Sequence, residues 1–127
     1  MITKVSPEII KKIGFDFSWS EKKVWALNIP IEEIDINKLT WHFNIPFWNT
    51  SHGYYNLSPN QVILNPKLYK KEYNRVMMVD LKYPIDIMFN KGRWLILDGL
   101  HRLVKANVIG IKNVKVRKIP RSVIPKI

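Results

Sequence analysis

The densest chemistry in the chain lies in the stretch WLILDGLHRLVKA, residues 94–106. An apolar run delivers the chain to Asp98-Gly99, and a helical pattern begins directly behind it. The first N–H groups of a helix lack intrahelical partners and sit at the positive end of its dipole, so an anion bound there is stabilised. Gly99 has no side chain, which lets a phosphate approach the backbone closely. His101 and Arg102 add donors in the first turn, and Arg102 can grip a phosphate through two N–H groups. Lys105, one turn beyond His101, can add charge to the same edge. Asp98 can hold a magnesium ion that bridges phosphates, or accept a proton. A structural role competes at each position: helix N-cap for Asp98, turn residue for Gly99, surface or capping group for His101, an exposed ion pair for Arg102.

Other candidates lie outside this corner. Asp80, in VMMVDLKYPIDI, could serve as a metal ligand or a base, or could cap a turn beside Pro84. Arg75 could reach an anion or complement a helix C-terminus. The segment TWHFNIPFWNTSHGYY is crowded with aromatic rings. Trp41, His42 and Trp48 are candidates for stacking on a base or ring substrate; the alternative is a hydrophobic cluster that pins an irregular loop. His42 could carry a proton near neutral pH, but its spacing from His52 does not suit zinc.

These groups need elements to hold them. Ser6-Pro7-Glu8 predicts a capped helix start, with Ile9, Ile10 and Ile13 on its apolar side and Gly14 at its end. Val24–Ile29 alternates, with Trp25, Leu27 and Ile29 on one face, and predicts a strand. IEEIDI after Pro30 reads as an extended or turn-like continuation, and residues 41–55 as irregular. Ser58-Pro59-Asn60-Gln61 is a capping box. Asn65-Pro66 is expected to start a second helix, striped by Leu68, Tyr69, Tyr73, Val76 and Met77. Pro84–Phe89 and Arg93–Leu97 form a hairpin about Asn90-Lys91-Gly92, the second strand apolar enough to be buried on both faces. Leu100–Ile109 fits a helix closed by Gly110, and Val114–Ile119 a last strand. The fold class expected is α+β, with a small mixed sheet, a C-terminal hairpin–helix–strand unit and short packed helices.

The composition sets the bounds. A chain of 127 residues that is 46% hydrophobic has room for one domain, residues 1–127, with a real core. Cysteine is absent, which excludes disulfides, a thiol nucleophile and Cys-ligated zinc. No apolar run approaches the roughly 20 residues a membrane span needs, and MITKVSPEIIKK has no apolar signal core. A cytoplasmic protein with no membrane partner is the expectation. Net charge is +11 and uneven: residues 1–64 carry six basic and six acidic side chains, residues 65–127 carry 15 and four. That asymmetry favours an anionic partner, although a solvated basic face would produce it too.

The stretch PIDIMFNKGRWLILDGLHRLVKANVIGIKNVKVRKIP resembles the ParB/sulfiredoxin superfamily, whose members share strand, turn, strand, G-x-[HR]-R opening a helix, then Gly and a V-x-V strand. Upstream, NIPIEEIDI looks like that family's first strand. The resemblance covers about residues 84–120 and extends to 24–36; residues 40–82 have no counterpart. It implies that Gly99, His101 and Arg102 contact nucleotide phosphate. It is closest to the free-serine kinases, whose D-G-H-H-R matches Asp98, Gly99, His101 and Arg102 residue by residue. Those kinases use an acidic residue near the first strand as a base, a place into which Glu32 and Glu33 fall. Sulfiredoxin activity is not expected, because Leu100 stands where that enzyme has its cysteine. A complete partition protein is not expected either, because no helix-turn-helix follows the module.

Two functions are therefore expected. One is an enzyme that binds a nucleotide or phosphorylated small molecule, with magnesium as cofactor, and catalyses phosphoryl transfer or phosphate hydrolysis. Asp98, His101, Glu33 and Asp80 would be its catalytic candidates, and Gly99, His101, Arg102, Lys105 and Arg75 its phosphate-binding ones. The alternative is a DNA- or RNA-associated binding module or nuclease that uses the basic C-terminal half.

Overall fold

The computed structural model describes residues 8–126. It is a small mixed α+β protein with a four-stranded mixed sheet, a two-stranded ribbon and short helices. Helix α1 spans Glu8–Lys12; the Ser6-Pro7 start expected for it lies outside the described residues. Among the described residues no helix is long and apolar enough to cross a membrane.

Val24–Ile29 is not a strand. Ser20 adopts extended backbone and its side chain accepts from the Lys23 N–H, starting helix α2, Glu21–Trp25. Val24 is fully buried and Trp25 is 54% exposed. The alternation read at Trp25, Leu27 and Ile29 therefore straddles a helix end. Strand β1 comes after Pro30, at Ile31–Asp35, where the residues IEEID pair antiparallel with the last strand.

Residues 41–55 are also more regular than expected. A 3-10 turn at Thr40–Asn44 leads into a ribbon of β2, Trp48–Thr50, and β3, Gly53–Leu57. The capping box at Ser58 holds on both sides and opens α3, Pro59–Leu64. Helix α4 spans Lys70–Met78, later than Asn65-Pro66 suggests. Residues 66–69 form a hydrogen-bonded turn instead, with the Tyr69 N–H on the Asn65 carbonyl, and Leu68 is left exposed rather than in the stripe.

The last third follows the sequence closely. Strands β4, Ile85–Asn90, and β5, Arg93–Asp98, form a hairpin with Asn90 opposite Arg93. Lys91 (φ 50°) and Gly92 (φ 82°) both take left-handed backbone, as a two-residue hairpin loop requires. Helix α5, Leu100–Val108, crosses over to β6, Asn113–Lys118, which lies parallel to β4. The sheet order is β1-β6-β4-β5.

Both faces of this sheet are covered. Ile85, Ile87, Ile96, Val114 and Val116 pack with Val76, Leu103, Val104 and Ala106 from α4 and α5. On the other face Met88 and Leu97 join Val24, Ile119 and Ile124, and Leu95 joins Ile10 and Phe15. Burying one such aliphatic side chain stabilises the fold by about 1.5–3 kcal/mol. The outer edge of β5 is closed by side chains. Trp41 Nε1 donates to the Trp94 carbonyl at 3.2 Å, and the Ile96 N–H donates to His42 Nε2 at 3.1 Å. Trp19 Nε1 reaches the carbonyl of Leu97, the extra residue of a β-bulge, at 3.2 Å. The aromatic segment thus seals a sheet edge.

Candidate functional site

The strand-to-helix corner is built by the bulge in the β4–β5 hairpin, which sets Asp86 directly across from Asp98. Two facing carboxylates repel, and each is matched to its own guanidinium. Arg102 Nη2 donates to Asp98 Oδ2 at 2.9 Å, and its Nη1 donates to the Pro84 carbonyl. Arg117 Nε donates to Asp86 Oδ1 at 2.7 Å, and Nη2 to Asp86 Oδ2 at 3.3 Å. The rest of the Arg117 fork holds the end of α2: Nη1 donates to the Leu27 carbonyl and Nη2 to the Val24 carbonyl, both at 2.7 Å.

Gly99, with φ 111°, occupies the N-cap position of α5, and no side chain caps that helix. Asp98 is therefore not the N-cap. A Cβ on Gly99 would meet Ile85 Cγ1 at 3.2 Å and Arg102 Cζ at 3.3 Å, in a backbone conformation that side chains rarely adopt. The corner demands glycine on both counts.

A cleft of about 600 Å³ opens beside this corner. Its wall includes Asp98, Arg102, Arg117 and Asp86, together with Asp80 and the exposed rings of Trp25 and Tyr83. A smaller hollow of about 130 Å³ shares Tyr83 and Arg102 with it, and Glu33 lines that hollow. Four residues singled out by sequence, Asp98, Arg102, Asp80 and Glu33, are thus brought to two adjoining recesses. Asp80 also caps its turn, accepting from the Lys82 N–H at 2.9 Å.

The remaining candidates are placed elsewhere. His101 is not in the cleft wall. Its Nε2 pairs with Glu72 Oε1 at 2.8 Å, and its ring stacks on Trp48 with centroids 4.6 Å apart. Arg75 pairs with the other oxygen of Glu72 at 3.1 Å. Lys105 Nζ donates to the Val79 carbonyl at 2.8 Å, closing the C-terminal end of α4. His101 and Lys105 tie α5 to α4, Arg75 pairs within α4, and the three do not converge on a phosphate. Trp48 and His42 are buried at 7% and 1% exposure, and Trp41 stacks on His42 while bonding Trp94. His42 and Trp48 are therefore closed to a substrate ring, while Trp41 is half-buried, with the Arg93 guanidinium over its ring. His42 is neutral at physiological pH: burial pushes it down to about 4, although its bond to the Leu39 carbonyl works the other way.

Sequence reasoning missed Trp25, Tyr83, Asp86, Arg117 and Glu72. The one visible signal was Asp86, an acid inside the apolar strand PIDIMF, which when buried demands a cation. Among the described residues no three His, Asp or Glu side chains gather to hold a metal ion.

Burial lowers the His101 pKa, and its bond to Glu72 opposes that change. Glu72→Gln should therefore push the imidazole pKa further down. NMR titration of the ring protons measures this, and an unchanged or raised value contradicts the pairing.

No family model matches the chain, and neither the curated proteins nor the solved structures include a match.

Proposed function

We propose that the cleft beside the Asp98-Gly99 corner binds a nucleotide or phosphorylated small molecule, and that the chain transfers a phosphoryl group there to a hydroxyl or to water. With this goes a ParB/sulfiredoxin-like fold, in keeping with the order hairpin, glycine corner, helix and parallel return strand. The observation that carries the reading is one cleft wall holding Asp98 and Arg102, next to a helix start that no side chain caps. Loose phosphoryl-transfer transition states need positioning and charge neutralisation more than covalent help. Arg102 supplies both by exchanging the Pro84 carbonyl for phosphate oxygens while Asp98 holds its other nitrogen. Gly99 holds the corner tight, its backbone set against Ile85 and Arg102 where a side chain would not fit, and so keeps Arg102 at the cleft wall. Asp80, or Glu33 from the adjoining hollow, takes the proton of the acceptor O–H as its bond to phosphorus forms and the bond to the leaving phosphate breaks.

Magnesium fits this site in the manner usual for the ion, on one or two carboxylates plus phosphate oxygens. Asp98 is the residue that would hold it, and the ion would neutralise charge on the phosphates. The nucleic-acid reading is weaker because much of the basic half has internal work. Lys91 pairs with Asp16, Lys118 with Glu32, Lys105 with Val79 and Arg117 with Asp86, while Arg93 and Arg121 cover Trp41 and Phe17.

The test is a thermal-shift screen of nucleotides with and without magnesium, since a ligand that prefers the native state raises the transition temperature. Arg102→Ala should weaken the hit by about 1.5–3 kcal/mol, the scale of a charge-assisted hydrogen bond. Unchanged affinity in a folded Arg102→Ala protein refutes the site.

A further inference from the structure

Trp25 is held in a way that packing does not require. The residue is 54% exposed, so it contributes little to the core. Yet it is fixed from two directions. Arg117 grips the backbone on either side of it, through the carbonyls of Val24 and Leu27. Its indole Nε1 donates to Asp98 Oδ2 at 2.7 Å, the same oxygen that accepts from Arg102 Nη2. The result is a rigid, solvent-facing π surface in the cleft wall, with the exposed ring of Tyr83 in the same wall. The lining between the charged groups is apolar, with Val79 and Pro84 contributing. A ring presented at low conformational freedom binds a planar ligand without having to be ordered first.

We infer that Trp25 is the stacking surface for the heterocyclic base of a nucleotide, with the phosphate end toward Arg102. This rests on the phosphate-binding reading of the corner and adds the residue that recognises the other end of the ligand. Every nucleobase has a π face, so stacking sets a preference for a ring over none rather than for one base over another. Asp98 joins the two ends, because one oxygen restrains both the indole and the guanidinium.

The experiment separates the two ends. Binding of four nucleoside triphosphates and of inorganic tripolyphosphate, all with magnesium, is measured calorimetrically on the wild type, Trp25→Ala and Trp25→Phe. Trp25→Ala should weaken the tightest nucleotide about 10- to 100-fold, the effect of removing one stacking ring. Trp25→Phe, which keeps a ring but not the N–H, should stay within about threefold. Tripolyphosphate affinity should be the same in all three proteins. If Trp25→Ala proves unfolded by circular dichroism, the wild-type indole N–H resonance, assigned by its absence in Trp25→Phe, must shift when nucleotide is added. Nucleotide affinity unaltered in Trp25→Ala, a parallel loss of tripolyphosphate, or an unmoved indole resonance overturns the stacking role and leaves the phosphate reading standing. A wild-type protein that binds neither probe overturns both.

Discussion

Arg117→Ala is expected to destabilise the protein by about 3–5 kcal/mol, because it leaves Asp86 charged, buried and alone. The Asp86 side chain is 4% exposed and that of Arg117 is 12% exposed, so the carboxylate depends on the guanidinium for most of its solvation. The substitution also releases the Val24 and Leu27 carbonyls, and with them the end of α2. A loss of this size is a large share of the roughly 5–15 kcal/mol that holds a typical domain folded. Arg117→Lys should restore little, since an ammonium cannot span a carboxylate and two carbonyls as a planar fork does. Replacing both Arg117 and Asp86 with apolar residues should cost less than the two single changes together, because neither charge is then stranded. Urea unfolding of the wild type and these variants measures this; a loss below about 1 kcal/mol for Arg117→Ala contradicts the account.

The second large effect is on acid stability. His42 titrates near 6.5 when unfolded and at about 4 when folded. Between those values the unfolded chain binds more protons than the native one, so stability falls as pH falls. The contribution of neutral His42 is fully present above pH 6.5 and gone below about 4. Its size is on the order of 3 kcal/mol, since each tenfold change in proton affinity is worth about 1.4 kcal/mol. The direction of the ring hydrogen bonds agrees: Nδ1 donates to the Leu39 carbonyl and Nε2 accepts the Ile96 N–H, which protonation at Nε2 would abolish. His101, also lowered by burial, adds in the same sense. Unfolding free energies from pH 7 to 4 should show this slope. His42→Gln, which keeps a donor and an acceptor but does not titrate, should flatten it to what His101 and, near pH 4, the Lys91-paired Asp16 leave. An equal slope in both proteins rules His42 out as the cause.

What could be read from the sequence was what is local. The β4–β5 hairpin announces itself through Lys91-Gly92, and α5 through its apolar stripe and the glycines at both ends. The corner at Asp98 and Arg102 was legible for the same reason, since both residues lie within one turn of each other. Val24–Ile29 failed because six residues with an apolar residue at every second place fit the end of a short helix as well as a strand. The opposite wall of the cleft was invisible for a different reason. Arg117 reads as the exposed partner of Val116, and Asp86 as a stray acid; only the parallel pairing of β4 with β6 makes them neighbours. Trp25 and Tyr83 likewise meet the corner through tertiary placement alone. The stacking residues proposed from composition, His42 and Trp48, were drawn inward because a sheet edge and an imidazole needed their surfaces.

That closed edge has a consequence for how the protein keeps company with its own kind. With β5 stoppered by two indoles and an imidazole, β1 is the flank of the sheet, among the described residues, left for an incoming strand to zip onto. It carries Glu32, Glu33 and Asp35 within five residues. Two copies meeting there would bring like charges together, so the fold discourages runaway ribbon growth, and a strand that did add at this flank would need to be cationic.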